Sequence, residues 1–344
     1  MKTMTSSESK VMDNKHILPV LLCAIAIPLS MSMWIINLIY SKYLAENQGL
    51  DEPLVISPTR WMVSCLVPLV IAVYGLKKKS ITFSGAIFGF FLAFVLTLSN
   101  YSFLAALFTF FITSSKATKV RSHLKRKFEA DFQEGGQRTW VQVLCNGGMA
   151  AQLSLLYLLD VGSTERPIDF LKDYRASWLS IGVLGVFACC NGDTWASELG
   201  TVFSYSDPFL ISSWEKVPKG TNGGVSAMGT LFSTLGGLVI GLAQYLTVWY
   251  FSDRVLWAYA PPQWPIIFIG ALSGLVGSLV DSILGATLQY SGLNEEGKVV
   301  NHSSQSVKHI SGRSILDNHS VNLISTIIMG LLMPTISKTM WGMF

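Results

Sequence analysis

"SWLSIGVLGVFACCNGDTWASELG" occupies residues 177–200, and the stretch from Ser177 to Gly192 carries no charge before Asp193 and Glu198 follow in quick succession. An uncharged apolar run of this kind belongs in lipid, where an acid is costly unless it faces protein or a cavity. Gly182, Gly185, Cys189 and Gly192 recur at helical spacing and lead into Asp193, Ala196 and Gly200. Asp193 therefore sits on the small-residue stripe that packs against other helices. Glu198, five residues on, points about 140° away on a regular helix and joins Asp193 only where the helix ends or bends.

The rest of the chain repeats the pattern. Of its 344 residues, 50% are hydrophobic and 13% charged, and the apolar residues come in long runs, as in a polytopic membrane protein. Candidate spans are 17–40, 59–76, 81–97, 99–113, 138–160, 177–192, 224–251, 265–289 and 320–343. The expected fold is all-α with nine transmembrane helices, or eight if 81–113 is a single tilted span. Residues 1–16 read as a polar cytosolic tail and 17–344 as one helical membrane domain, with 17–40 a signal anchor. All five cysteines lie in apolar runs without metal-ligand spacing, so neither a disulfide framework nor a zinc site is indicated. The net charge of +4 argues for loop orientation rather than for nucleic-acid binding.

With a cytosolic N-terminus, the cytosolic segments 1–16, 77–80, 114–138, 193–223 and 290–319 hold 18 of the 25 Lys and Arg residues. The positive-inside rule favours that orientation. Every long polar loop (114–138, 193–223, 290–319) then emerges on one face, where nucleotides are available. Sequons stand at Asn100, Asn301 and Asn318, the last two in loops assigned to the cytosol. The absence of a transit-peptide pattern makes the endoplasmic reticulum or another endomembrane the expected home.

Four further elements carry candidate chemistry. In span 265–289, Gly270, Gly274 and Ser278 lead to Asp281 and Gly285, so two aspartates on close-packing faces can converge on a divalent metal such as Mg2+. An ion pair or a helix cap is the plainer role for either acid. In "SSWEKVPKGTNGGVS", 212–226, Gly220, Gly223 and Gly224 let backbone N–H groups approach an anion, Asn222 or Ser226 can cap the next helix, and Lys216 and Lys219 add charge. The spacing is not that of a P-loop. In "VKHISGRSILDNHSVN", 307–322, Lys308, His309 and Arg313 supply positive charge; Arg313 suits a bidentate phosphate contact and Asp317 a metal or a helix cap. In "RSHLKRKFEADFQEGGQRTW", 121–140, Lys125–Glu129 and Lys127–Asp131 at i,i+4 spacing read as the solvated face of an interfacial helix. Gly135, Gly136, Gln137 and Arg138 at the next span entrance can touch a lipid phosphate, with Asn146 and Gln152 continuing inside.

"EGGQRTWVQVLCNGG", "NGDTWASELG", "SWEKVPKGTNGGVS", "GSLVDSILGATLQY" and "LDNHSVN" together resemble the transmembrane protein 19 family, whose broader membership includes the plant phytyl phosphate kinase of the vitamin E pathway. The likeness covers residues 120 to 330. A more distant one, an aspartate followed by a lysine- and glycine-bearing loop, is to dolichol kinase and phosphatidate cytidylyltransferase. That likeness implies metal binding at Asp193 and nucleotide-phosphate binding at Lys216, Lys219, Gly220, Gly223 and Gly224. "WEKVPKGTNGG" stands where the cytidylyltransferases have an adjacent lysine pair and a threonine before the tryptophan, which leaves the donor open between CTP and ATP. The expected function is a membrane kinase that converts a prenyl monophosphate to its diphosphate. Asp193, Glu198, Asp281 and Asp317 form its acidic set, Lys216, Lys219, Asn222, Lys308, Arg313 and the glycines its phosphate clamp, and Arg138 and Asn146 its lipid-phosphate contacts. Its expected partners are the bilayer, the prenyl phosphate lipid and the nucleotide, with the prenyl chain beside the small-residue stripes. The competing functions are transport of a lipid phosphate or other anion, which favours charges at mid-membrane, and a non-catalytic scaffold.

Overall fold

The computed structural model describes residues 6–48, 55–125 and 136–343. Among the described residues, the nine expected spans correspond to nine long helices: α1 (Ser6–Gln48), α2 (Pro58–Lys77), α3 (Phe83–Ser99), α4 (Tyr101–Ala117), α6 (Trp140–Asp160), α7 (Tyr174–Trp195), α9 (Ala227–Phe251), α11 (Pro265–Leu288) and α12 (Asn318–Trp341). Six are long and apolar enough to cross a membrane by length and composition: Leu21–Leu44 within α1, and α2, α6, α9, α11 and α12. The helices α3 and α4 are shorter, at 17 residues each. The chain is a multi-pass, all-α membrane protein.

Residues 81–113 form two helices because Asn100 both ends one and begins the next. Its backbone N–H donates to Leu96 O, closing α3, and its side-chain oxygen accepts from the Ser102 N–H at 2.8 Å, opening α4. Asn100 is only 1% exposed, so this sequon is enclosed by the folded chain. The helix of the N-terminal region begins at Ser6, within the expected polar tail.

At the centre runs α7, in which every residue from Leu179 to Gly192 is buried. It packs against α9, α11, α12, α6 and α4. Small residues make this possible: a Cβ built on Gly192 would lie 2.6 Å from Gly274 Cα of α11, and one on Gly274 would lie 2.8 Å from Gly237 Cα of α9. Three backbones thus touch at one crossing, and dispersion replaces the hydrophobic drive that lipid cannot supply between helices. Beside it, the fully buried Asn191 donates to Gly236 O at 2.8 Å and accepts from Thr113 Oγ1 and Ser114 Oγ at 2.8 and 2.9 Å. One amide therefore ties α7 to α9 and α4.

The two ends of the bundle differ. One end gathers the turn between α3 and α4, the start of α2, and the connection from α6 to α7. There Arg60 pairs with Glu165 at 2.7 Å and donates to Ser163 Oγ and to the carbonyls of Leu98 and Ser99, with its guanidinium 3.7 Å above the Tyr101 ring. Glu165 also accepts the Tyr101 N–H at 2.8 Å. The other end gathers the polar loops. They contain the short helices α5 (Ser122–Lys125) and α8 (Thr201–Phe203), the two-stranded pair β1 (Phe209–Leu210) and β2 (Gly224–Val225), and an antiparallel sheet of β3 (Ser291–Leu293), β4 (Val299–Val300) and β5 (Lys308–Ser311) in the order β4-β3-β5. The helix α10 (Arg254–Tyr259) lies in the connection between α9 and α11.

Candidate functional site

Two acids from helices far apart in sequence meet at the loop-bearing end. Asp193 lies in the last turn of α7 and Asp281 in the last two turns of α11, and both line a cavity of about 420 Å³. The glycine crossing just below holds α7 and α11 close, so their carboxylates share one space. A smaller cavity of about 20 Å³ adjoins it, also walled by Asp193 and Asp281, with Asn146, Asn322 and Ser325. Ser325 Oγ donates to Asp281 Oδ2 at 3.4 Å, and the Asn322 and Asn146 side chains meet at 3.2 Å. The amide of Asn322, turned to satisfy its neighbours, donates to Asp281 Oδ2 at 3.2 Å.

Glu198 also lines the large cavity, and the backbone explains how. Residues Ala196–Gly200 form a π turn rather than continuing the α-helix of α7. An i→i+5 turn is wider than an α turn and carries a residue five positions on toward the same side. The 140° separation of a regular helix is thereby removed. Glu198 pairs with Lys125 at 2.5 Å, with the two side chains 18% and 5% exposed. The expected Lys125–Glu129 and Lys127–Asp131 pairings fall on Lys127, Glu129 and Asp131, which with Gly135 lie outside the described residues; Lys125 itself is enclosed against Glu198 rather than on a solvated face.

The opposite wall is the glycine loop. Gly220 and Gly223 hold φ of 90° and 79°, and a Cβ on Gly223 would lie 2.6 Å from both Ala286 N and Ser282 O. Only glycine allows the loop to lie against the end of α11 beside Asp281. Asn222 fixes the loop to the β3 side: its N–H donates to Ser291 Oγ, and its amide to Tyr290 O and Asn301 Oδ1, at 3.0 to 3.1 Å. Ser226 caps α9, accepting from the Gly229 N–H at 3.0 Å, so the N-terminus of that helix also opens on the cavity. Lys219 lines the wall with its Nζ donating to Ser204 O at 2.6 Å. Three carboxylates (Asp193, Glu198, Asp281) and two ammonium groups (Lys125, Lys219) thus share the lining.

Other expected members lie elsewhere. Lys216 is exposed, its Nζ 6.0 Å from the Phe209 ring, because the tight turn closed by the Trp214 N–H to Leu210 O bond directs it outward. Lys308 and Arg313 are exposed, on β5 and just after it, away from the cavity wall. His309 Nε2 is hydrogen-bonded to Gly312 O at 2.9 Å. Asp317 is an exposed N-cap of α12, its carboxylate accepting the Ser320 N–H at 2.8 Å. The Ser320 hydroxyl, with the Ser320 N–H second, holds Asp317 below the usual carboxylate range. Arg138 donates to Ser115 Oγ at 2.7 Å and lines an apolar groove instead. The small-residue stripes are filled by backbone contact and leave no room for a prenyl chain.

Among the described residues, no three His, Cys, Asp or Glu side chains cluster as a metal site. Asp193 and Asp281 alone suit Mg2+, which is commonly held by one or two carboxylates with the remaining positions filled by water and substrate phosphates. They fit an ion that arrives with a nucleotide.

Comparison with known proteins places the chain. The family model described as integral membrane protein DUF92 matches residues 66–330. Protein PGR of Arabidopsis thaliana is 41% identical over 274 residues, covering 79% of this chain and 94% of that protein. An uncharacterized membrane protein of Methanocaldococcus jannaschii is 28% identical over 274 residues, 79% of this chain and 92% of its own. Protein VTE6, chloroplastic, of Arabidopsis thaliana is 26% identical over 208 residues, 60% of this chain and 55% of its own. No solved structure matches. The cavity, its two aspartates and its glycine loop all lie within the matched span, and the chain belongs to the integral membrane family DUF92.

Proposed function

We propose that the protein is an integral membrane phosphotransferase, a nucleotide-dependent prenyl phosphate kinase that makes a diphosphate from a prenyl monophosphate. The observation that carries this reading is the pairing of Asp193 and Asp281, from helices almost ninety positions apart, opposite a glycine loop and a helix N-terminus. Phosphoryl transfer needs positioning and charge neutralisation more than a covalent nucleophile, and the wall supplies both kinds of group. Asp193 and Asp281 would hold Mg2+, which neutralises charge on the phosphates. Lys219, the N–H groups around Gly220–Gly224 and the N-terminus of α9 hold the nucleotide phosphates. A lipid phosphate oxygen forms a bond to the γ-phosphorus as the bond to the bridging oxygen breaks, and the nucleoside diphosphate leaves.

The family resemblance to phytyl phosphate kinase supports the lipid class. The position of the cavity at one end of α7 and α11, rather than midway along them, supports transfer over transport. We assign this face and the N-terminus to the cytosol on the distribution of Lys and Arg, and propose the endoplasmic reticulum or another endomembrane as the membrane.

The test uses purified full-length protein with geranylgeranyl or phytyl monophosphate, Mg2+ and CTP, ATP, GTP or UTP in turn. Diphosphate formed by the parent and lost in a folded Asp193→Asn variant is the expected result. Absence of turnover with every donor, in protein that remains folded, rules the reading out.

A further inference from the structure

The polar cavity accommodates a nucleotide and leaves the hydrocarbon of the lipid without a seat. A separate groove of about 70 Å³ lies between α2, α3, α4 and α6. Its wall is apolar, with Pro68, Leu92, Leu107 and Phe111 among its lining, and Phe108 at its rim is 41% exposed toward the outer surface of the bundle. Three polar side chains are in its lining, Arg138, Gln142 and Asn146, one helical turn apart at and just before the N-terminal end of α6.

Two features of that end point to a ligand. The Arg138 side chain donates to Ser115 and makes no contact ion pair among the described residues; the carboxylate that acts on it is Glu198, on the wall of the large cavity. A guanidinium with donors left over at the end of an apolar slot is complementary to an anionic headgroup. Asn146, one turn past Gln142 on α6, is a shared wall: it also lines the small cavity that contains Asp193 and Asp281. The polar end of the groove therefore abuts the acidic pair through one side chain.

We propose that this groove seats the headgroup-proximal part of an isoprenoid monophosphate, with its phosphate at Arg138 and Gln142 and its oxygen directed past Asn146 toward the space between Asp193 and Asp281. The identity of the headgroup rests on the phosphotransferase reading. A groove of this volume holds a few carbon atoms, and the remaining chain lies in the bilayer. Recognition is then of the phosphate and the first branched unit, and lipids of ten, fifteen and twenty carbons should bind alike.

The experiment uses full-length protein in lipid nanodiscs and a geranylgeranyl monophosphate analogue with a diazirine on the first isoprenoid unit, photolysed and mapped by peptide mass spectrometry. Adducts are expected on α3 and α4 around Leu92 and Leu107. Ala72→Phe, which narrows the groove, should reduce labelling and raise the KM for the lipid about tenfold while leaving kcat and the nucleotide KM unchanged. Leu107→Ala, which widens it, serves as a second variant should Ala72→Phe lose its fold, and it too should weaken labelling. Groove adducts without turnover on any nucleotide would leave the groove assignment standing and remove the kinase reading. Turnover with adducts confined to α9 or α11, or with a lipid KM unmoved in both variants, would overturn the groove assignment alone. Labelling that free geranylgeraniol competes as well as its monophosphate does would overturn the role of Arg138.

Discussion

The bundle is charged at both ends, in opposite ways. At one end Arg60 and Glu165 are balanced: one cation, one anion, acceptors for the remaining Arg60 donors at Ser163, Leu98 and Ser99, and the Tyr101 N–H donating to the carboxylate. At the other, three carboxylates and two ammonium groups surround a cavity, and among the described residues Asp281 has only neutral neighbours within hydrogen-bond reach, Ser325 and Asn322. A closed, satisfied pair holds helices together. An open, acid-rich wall leaves binding capacity for a cation and its anionic cargo. The comparison teaches that an intramembrane charge whose complement is in place serves packing, whereas an acid pair without one is where the proposed function is to be tested.

Removing half of the balanced pair should have the largest effect. Arg60→Met leaves Glu165 buried without a countercharge and is expected to cost about 3–5 kcal/mol, read as a fall in the melting temperature of detergent-purified protein. Specific activity per folded molecule should be retained. If activity vanished while stability held, the division of roles between the two ends would be wrong.

Asp193→Asn should do the reverse. It is expected to lower kcat by about 10²–10³-fold, the range for losing one transition-state contact, with a melting temperature equal to or above the parent's, because it relieves repulsion among Asp193, Asp281 and Glu198. A large loss of stability would mean that Asp193 is a structural group like Glu165. Between these extremes, Asn191→Ala strips Thr113, Ser114 and Gly236 of their shared partner without touching the cavity. A cost of about 1–3 kcal/mol in stability is expected, measurable by denaturation, with the lipid KM unchanged.

The smallest effect belongs to Asp317. Its carboxylate is held below its ordinary value by Ser320, so its contribution to folding is complete above the unfolded value of about 3.9 and fades as pH falls through the lower, folded value. Asp317→Ala should cost about 1 kcal/mol at neutral pH, the usual price of an N-cap. The gap from the parent should narrow as pH falls below that unfolded value. Loss of turnover with the cap effect absent would return Asp317 to the acidic set.

The sequence shows the helices clearly because span length and apolar content are local properties, and even the break at Asn100 is announced by a polar residue between two apolar runs. The stripes also read correctly: small residues at helical spacing end at Asp193 and Asp281, and the backbones of α7, α9 and α11 do touch there. Charge partnerships were less legible. Lys125 looks satisfied by Glu129 one turn away but reaches Glu198 across the fold, and Arg60 and Glu165 are 105 positions apart with no spacing to link them. The basic residues of two loops, Lys216, Lys308 and Arg313, looked equivalent to Lys219, yet turn geometry alone decides which of the four faces inward. The strands β1 to β5 are too short, at two to four residues, to leave an alternating pattern.

The π turn at Ala196–Gly200 gives this segment an unusual sensitivity to length. A point substitution there changes one side chain, whereas a change of length changes the register: deleting Ser197 would leave the acid four positions after Asp193, which an ordinary α turn still carries to the same side, while inserting a residue would carry it off the wall. Along these five positions the number of residues matters more than their identity: polar replacements at Ser197 should be tolerated, a deletion that restores α register should keep Glu198 facing the cavity, and a one-residue insertion should not.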